Sequence, residues 1–558
     1  MLEKGSLKSV FKPETDTASL MYYALVLLAV SIPLSEFGMS ISQFFLLGIW
    51  LFDLRSMAVR HPDATYGKNF ILNITEKFRM FFNNPAAVVV VSLYLMHVAG
   101  VIYTTDLNYA LKDLRIKLPL ISLPVIIATS APLKQERFYR LLIFFVLAVF
   151  AGTMASMYML ITTHVADPRE ISIFISHIRF SLTICLSVFI LIYFIVNKKY
   201  NSNISLAVIV TGIIWFLLFL LILESVTGIA ITLLLGLIFL FYFVFRFRSV
   251  VFRILVASIL LLGIFLSWQY INIVINNYSF PEKVDIGSLD RYTKLGHPYV
   301  HDTSTYGIEN GQYVGLYINF FELKREWEKR SAIKFEGKDH KGHELQYTLI
   351  RYLNSKELRK DAEGVRSLSN EEIKHIENGI ANVRYVETFN LSSRFEQMAM
   401  GYINYINHGN PNASSVMQRV EYWKASAYII KKHWLTGVGT GDLNLAFEKA
   451  YASLDSRLES AFRNRSHNQF LAIFIAFGLF GLVLFIFSLI YPGIKTGKFY
   501  SYLYIVFFII IFMSMLTEDT LETQAGATFF AFFNALLLFG CRRNQQTKTE
   551  QETLPPAE

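Results

Sequence analysis

The apolar positions of this chain fall in long unbroken runs rather than at helical or strand intervals. Stretches such as AAVVVVSLYLMHVAGVIY (86–103) and LAVIVTGIIWFLLFLLIL (206–223) are each long enough to cross a hydrocarbon core of about 30 Å. Runs of this kind predict twelve spans, at 18–36, 38–54, 86–104, 116–131, 138–162, 171–197, 204–223, 225–246, 250–270, 468–491, 499–516 and 524–541. The expected fold is therefore an all-α polytopic membrane protein, because lipid leaves backbone polar groups no partner outside their own helix. From 271 to 467 the runs stop, and polar sequence of mixed charge predicts a large, mostly helical loop between the ninth and tenth spans. Two stretches in it read as amphipathic helices. In 317–331 apolar residues give way to a charged face, and 418–434 spaces Val420, Trp423, Ala427, Ile430 and Trp434 at three to four residues. The expected organisation is a tail (1–17), a membrane domain (18–270), a cap loop (271–467), further membrane domain (468–541) and a disordered tail (542–558). The opening MLEKGSLKSVFKPETD lacks an apolar core and a small-residue cleavage site, so it reads as a cytoplasmic tail.

Composition removes the soluble alternative. Only 17% of residues are charged and 53% are hydrophobic, against about a quarter charged in soluble domains. The net charge of +9 would suggest nucleic acid, but much of it sits in short loops, where it reports topology. With the N-terminus inside, the inner segments hold 21 Lys and Arg and the short outer loops 4, namely Lys112, Arg115, Lys117 and Arg169. Both termini are thus expected in the cytoplasm and the loop 271–467 outside. Two cysteines, Cys185 in a span and Cys541 at the end of the last, give neither a disulfide framework nor a thiolate metal site. No metal or cofactor is expected, and Glu518, Asp519 and Glu522 form a small acidic loop without an assignment. A transporter or flippase would need charged or broken helices at the midplane; the spans are nearly charge-free there, and no internal repeat is visible. A non-catalytic scaffold would leave Arg179 and His467 dispensable.

Three segments carry candidate chemistry. Arg179 sits about eight residues into the sixth predicted span, roughly 12 Å from its outer end at 1.5 Å per residue. A charge there is costly unless it snorkels or works. His177 points to another face. Arg419 opens an amphipathic helix that runs to GVGTGD (437–442), which reads as a helix cap and tight turn, since it lacks the Lys-Ser/Thr of a phosphate-binding loop. Finally, RNRSHNQFL (463–471) places His467 at the start of the tenth span, with Ser466 or Asn468 as cap and Gly478 and Gly481 allowing close packing. Arginine forks suit phosphate oxygens, and a histidine suits proton abstraction.

Together these segments resemble the superfamily of O-antigen ligases and O-antigen polymerases. The resemblance rests on Arg179 near a span end, on Arg419–Trp423 leading to Gly437–Gly441, and on His467–Asn468–Gln469–Phe470–Leu471 with Gly478–Gly481. It covers the membrane topology and the second half of the loop; residues 275–400 have no counterpart in the pattern. The resemblance implies a metal-independent glycosyltransferase in the bacterial inner membrane, working on its periplasmic face. The donor would be an undecaprenyl-pyrophosphate-linked glycan and the acceptor lipid A-core, with no nucleic acid involved and membrane lipids as surroundings. Arg179 and Arg419 would meet the leaving pyrophosphate, and His467 would deprotonate the acceptor, giving inversion. Arg463, Arg465, Asn468, Lys117 and Arg115 are secondary substrate-binding candidates. Ligation is the first reading. Polymerisation of lipid-linked repeats and transfer to protein Ser/Thr share the same layout.

Overall fold

The computed structural model describes residues 17–53, 65–163, 168–246, 249–279, 284–386, 391–412 and 414–541. Both predicted tails lie almost wholly outside the described residues. The described residues are mostly helical and fall into two compact units. One comprises Met1–Leu237, Lys424–Ser453 and Asn464–Glu558, and the other Ile238–Trp423 and Leu454–Arg463.

The first unit opens with α1 (Thr17–Leu34), α2 (Glu36–Leu51), α3 (Tyr66–Phe82), α4 (Pro85–Ala99), α5 (Leu107–Lys117), α6 (Pro119–Thr129), α7 (Gln135–Thr162), α8 (His177–Val196) and α9 (Asn203–Ile222). The boundary after Leu237 falls within α10 (Val226–Arg246), and α11 (Val250–Ser279) belongs to the second unit. Among the described residues six helices are long and apolar enough to cross a membrane, or seven if the bent pair Gly67–Phe82 and Pro85–Ala99 is one span. The other predicted runs fold as shorter apolar helices. The run 116–131 is divided: α5 ends at Lys117 and α6 begins at Pro119. Proline supplies no N–H to continue a ladder but suits a first helical position. The stretch expected as an inner loop before α4 is largely helical, and α3 meets α4 at 95°. The Lys77 ammonium of α3 donates to the Trp50 carbonyl and lies over the Trp50 ring. Arg179 also differs from expectation. α8 starts at His177 rather than 171, so Arg179 stands in its first turn, preceded by a one-turn helix Pro168–Ile171 and a non-helical link.

The chain closes with α19 (Gln469–Lys495), α20 (Tyr502–Thr517) and α21 (Gln524–Phe539). α21 is buried from Ala525 to Leu538 on every face, as expected of a helix that is apolar all round. It packs on α6, while α19 packs on α4 and α20 on α8.

The second unit has its own core. α12 (Phe320–Trp327), α13 (Leu345–Ser355), α14 (Ala362–Arg366) and α15 (Asn370–Glu377) bury Trp327, Tyr352, Leu349, Leu353, Val365 and Ile376 together. A short hairpin pairs β1 (Ile308–Glu309) with β2 (Gln312–Tyr313). Buried Glu309 accepts from Arg351 Nε at 2.9 Å and from Asn382 Nδ2 at 2.8 Å. The region without a counterpart in the sequence pattern is thus a folded body, more broken by turns than a mostly helical cap would be. α16 (Leu391–His408) and α17 (Ser415–His433) lead to α18 (Leu443–Ser453). α17 confirms the expected helix but not its buried face. Tyr422, Ala425, Ser426 and Ile429 are buried, whereas Trp423 and Trp434 are 46% and 53% exposed. Apolar spacing alone does not say which stripe meets protein when lipid is an alternative solvent.

Candidate active site

His467 precedes the first turn of α19 with φ 45°, a left-handed conformation that histidine adopts more readily than most residues but still at some cost. Of the two expected caps, Asn468 is the one used: its Oδ1 accepts from Leu471 N at 3.0 Å. Its Nδ2 donates to Leu516 O at 2.8 Å, and Gln469 Oε1 accepts from Leu521 N at 2.7 Å. The start of α19 is in this way tied to the end of α20 and to the loop between α20 and α21, the acidic loop left unassigned by the sequence.

That loop supplies the link between the two first-unit catalytic candidates. Glu518 is 2% exposed; its Oε2 lies 3.2 Å from His467 Nδ1 and 3.7 Å from Arg179 Nη1. Arg179 Nη2 also donates to the Asp519 carbonyl at 3.2 Å. Arg179 Nε is buried with no hydrogen-bond partner among the described residues, a state native proteins keep rare. A carboxylate on Nδ1 favours the tautomer with its proton there and places the basic lone pair on Nε2. The arrangement is a half-buried base, oriented by a carboxylate, beside a guanidinium.

A second ionic cluster lies behind it in the same unit. Lys117 is 1% exposed and its Nζ donates to Asp113 at 2.5 Å and Glu522 at 2.9 Å. Arg465 Nη1 reaches Glu522 Oε2 at 3.1 Å and Tyr109 Oη at 2.8 Å, and its Nη2 lies 3.7 Å from Asp519. Burial pushes the Asp113 carboxyl up to about 6, against the pull of Lys117 and with the help of nearby Glu522. Burial would raise Glu522 too, but Lys117 and Arg465 together hold it well below the usual carboxylate range. Lys117 and Arg465 therefore have their charge matched within the protein, a placement that suits bracing the acidic loop.

The remaining candidates are dispersed. Arg115 is exposed on α5. Arg463 donates from Nε to Leu458 O at 2.9 Å, and Arg419 is half-buried in the first turns of α17; both belong to the second unit. The sequence reading missed Glu518, Asp519, Glu522 and Asp113 as partners. The available signal was charge complementarity, since an acidic loop falls on the same predicted side as Arg179, Arg465 and Lys117. Ligand atoms of His467, Glu518 and Asp519 lie within 4.8 Å of one another, so these groups can approach a cation, but Arg179 and Arg465 already offset both carboxylates.

The GVGTGD segment is a cap and turn, as expected, with a further task. Gly437 N closes α17 on His433 O at 2.9 Å, and Val438 N and Gly439 N donate to Ile475 O at 2.9 Å and Ala476 O at 2.8 Å. Those carbonyls lose their helical partners because α19 breaks at Gly478 (φ 63°, ψ −162°). On the other side of the break Leu479 N donates to Trp434 O at 2.8 Å. Asp442 then grips residues 104–106, accepting from Thr104 Oγ1, from Thr105 N and Oγ1, and from Asp106 N.

A multi-pass helical membrane protein with an arginine beside a carboxylate-oriented histidine has the groups that glycosyl transfer from a phosphorylated carrier requires. Residues 374–486 match the family model described as O-antigen ligase, which bears out the resemblance read from the motifs over the stretch holding Arg419, GVGTGD and His467. Over that stretch the chain is similar to the O-antigen ligase family. No curated protein matches the chain.

Proposed function

We propose that the protein transfers a glycan from an undecaprenyl-pyrophosphate carrier to lipid A-core on the periplasmic face of the inner membrane, without a metal. The observation that carries this reading is the Glu518 carboxylate set between His467 Nδ1 and the buried Arg179. In the reaction the acceptor hydroxyl oxygen attacks the anomeric carbon while the bond from that carbon to the pyrophosphate oxygen breaks. The hydroxyl proton goes to His467 Nε2, and the electron pair leaves with the pyrophosphate. Attack opposite the leaving group inverts the anomeric centre. Arg179 meets the charge developing on the departing oxygens, where a preorganised donor contributes most. Arg419, in the second unit, remains a pyrophosphate-binding candidate from the motif resemblance alone, and its substitution is a separate test.

The test is a deletion strain complemented with wild-type, Arg179→Ala, Arg419→Ala and His467→Ala genes, its polysaccharide run on a gel beside a glycoprotein stain. Loss of long-chain lipopolysaccharide with accumulated lipid-linked polymer is the expected result. A single-repeat product would instead mark a polymerase, and a lost glycoprotein signal a protein glycosyltransferase. Full activity in all three variants would overturn the mechanism.

A further inference from the structure

A cavity of about 410 Å³ opens between the C-terminal half of α17, α18 and the turn at 103–105, within the size range of small-molecule sites. It stands apart from the His467 cluster and none of the candidate residues lines it. Its lining brings Lys432 and Lys449 together with Tyr103, Tyr428, Thr105 and Ser453. Lys432 lies 4.2 Å over the Tyr428 ring and donates to its hydroxyl at 2.6 Å, which keeps that ring and that charge on the same wall. The one carboxylate in the lining, Asp442, is turned to residues 104–106, where it accepts two backbone N–H groups and two hydroxyls. Its charge is satisfied in that grip, and the lysines set the sign that the space presents.

We infer that this cavity binds a sugar unit carrying a phosphate or carboxylate. The lysines meet the anion as point charges, the tyrosine rings cover an apolar sugar face, and the hydroxyls bond sugar oxygens. Size and lining favour a sugar over a lipid headgroup, because polar donors and rings line the same space. The site does not depend on the reaction assigned to His467.

The test uses the full chain purified in detergent, with glucose 1-phosphate as probe and saturation-transfer NMR as readout, beside Lys432→Gln/Lys449→Gln and the single variant Lys449→Gln. Both lysines are exposed, and unchanged melting temperatures certify the variants as folded. The expected result is binding of glucose 1-phosphate that falls at least about tenfold in the double variant, at about 1.4 kcal/mol per tenfold, and severalfold in the single one. Glucose itself should bind at least tenfold more weakly. Equal binding of glucose and its phosphate, or equal binding by wild type and double variant, overturns the proposal. So does displacement of the probe by short-chain phosphatidylglycerol but not by galacturonic acid, which would make the cavity a lipid site.

Discussion

Replacing Gly478 by alanine tests whether the break in α19 is built in or incidental. The residue sits at φ 63° and ψ −162°, a region open essentially to glycine alone, where another residue pays about 1–3 kcal/mol. A Cβ there would stand 2.2 Å from Leu435 O and 2.5 Å from Thr436 N, both backbone atoms that cannot swing aside. Overpacking of this kind costs typically about 1–3 kcal/mol. The two contributions predict a loss of roughly 2–6 kcal/mol. Gly48→Ala is the control, because a Cβ at Gly48 meets nothing within 4 Å and lies inside α2. There alanine should stabilise by up to about 1 kcal/mol through helix propensity. Thermal unfolding of both variants in the same detergent, followed by a fluorescent thiol- or dye-based melt and by helical circular dichroism, provides the comparison. If Gly478→Ala melts within a degree of wild type, α19 can run through as a continuous helix and the account of GVGTGD as its repair is wrong.

The other expectations concern the ionic groups. His467→Ala should lower glycan transfer by roughly 10²–10⁴-fold, the usual worth of a general base, with the protein still folded and membrane-inserted by protease protection. Glu518→Gln should lower kcat while leaving the donor KM within about twofold, since Glu518 orients the base and does not hold substrate; a change confined to KM would refute that role. The buried cluster predicts a pH profile of stability with two limbs. Asp113, at about 6 in the fold against roughly 3.9 unfolded, binds its proton earlier in the native state, so its contribution grows as pH falls from 6 towards 4. Glu522, held low, is stabilising above its unfolded value of about 4.3 and loses that contribution as pH falls further. Melting temperatures across pH 3.5–8 should therefore show a maximum at about pH 4 from this cluster, falling as pH rises towards 6. Asp113→Asn should flatten the upper limb and Glu522→Gln the lower, the latter also costing roughly 3–5 kcal/mol at pH 7 by unbalancing Lys117 and Arg465.

What the sequence made legible follows the solvent. Long apolar runs identify the membrane helices because nothing else accommodates them, and the start of α19 could be read from Asn468 and the charge change before it. The division of 116–131 at Pro119 was available in principle, but an apolar run on both sides concealed it. Arg179 and His467 were visible as charges where charges are expensive. Glu518 was not, because a carboxylate in a short loop between α20 and α21 looks like any solvated acid until the fold buries it. The buried side of α17 was misjudged for a related reason: Trp423 and Trp434 make a regular stripe, yet Tyr422 and Ile429 are the residues that protein covers. The body around Trp327 and Tyr352 carries ordinary globular patterning, and without a motif it gave no hint of its role.

The break at Gly478 also constrains how the protein can be assembled. A newly made α19 enters the bilayer after residues 434–439 have already emerged, and lipid has no donors for the carbonyls of Ile475 and Ala476. The nine residues from Gln469 to Phe477 span only about 14 Å, too little to settle in the bilayer as an independent crossing. The helix therefore reaches its bent form only once the glycine turn has come to meet it and Asp442 has fastened that turn to residues 104–106. Insertion of the tenth predicted span and closure of the turn are thereby coupled, and the bent form of α19 depends on residues 104–106, translated long before it.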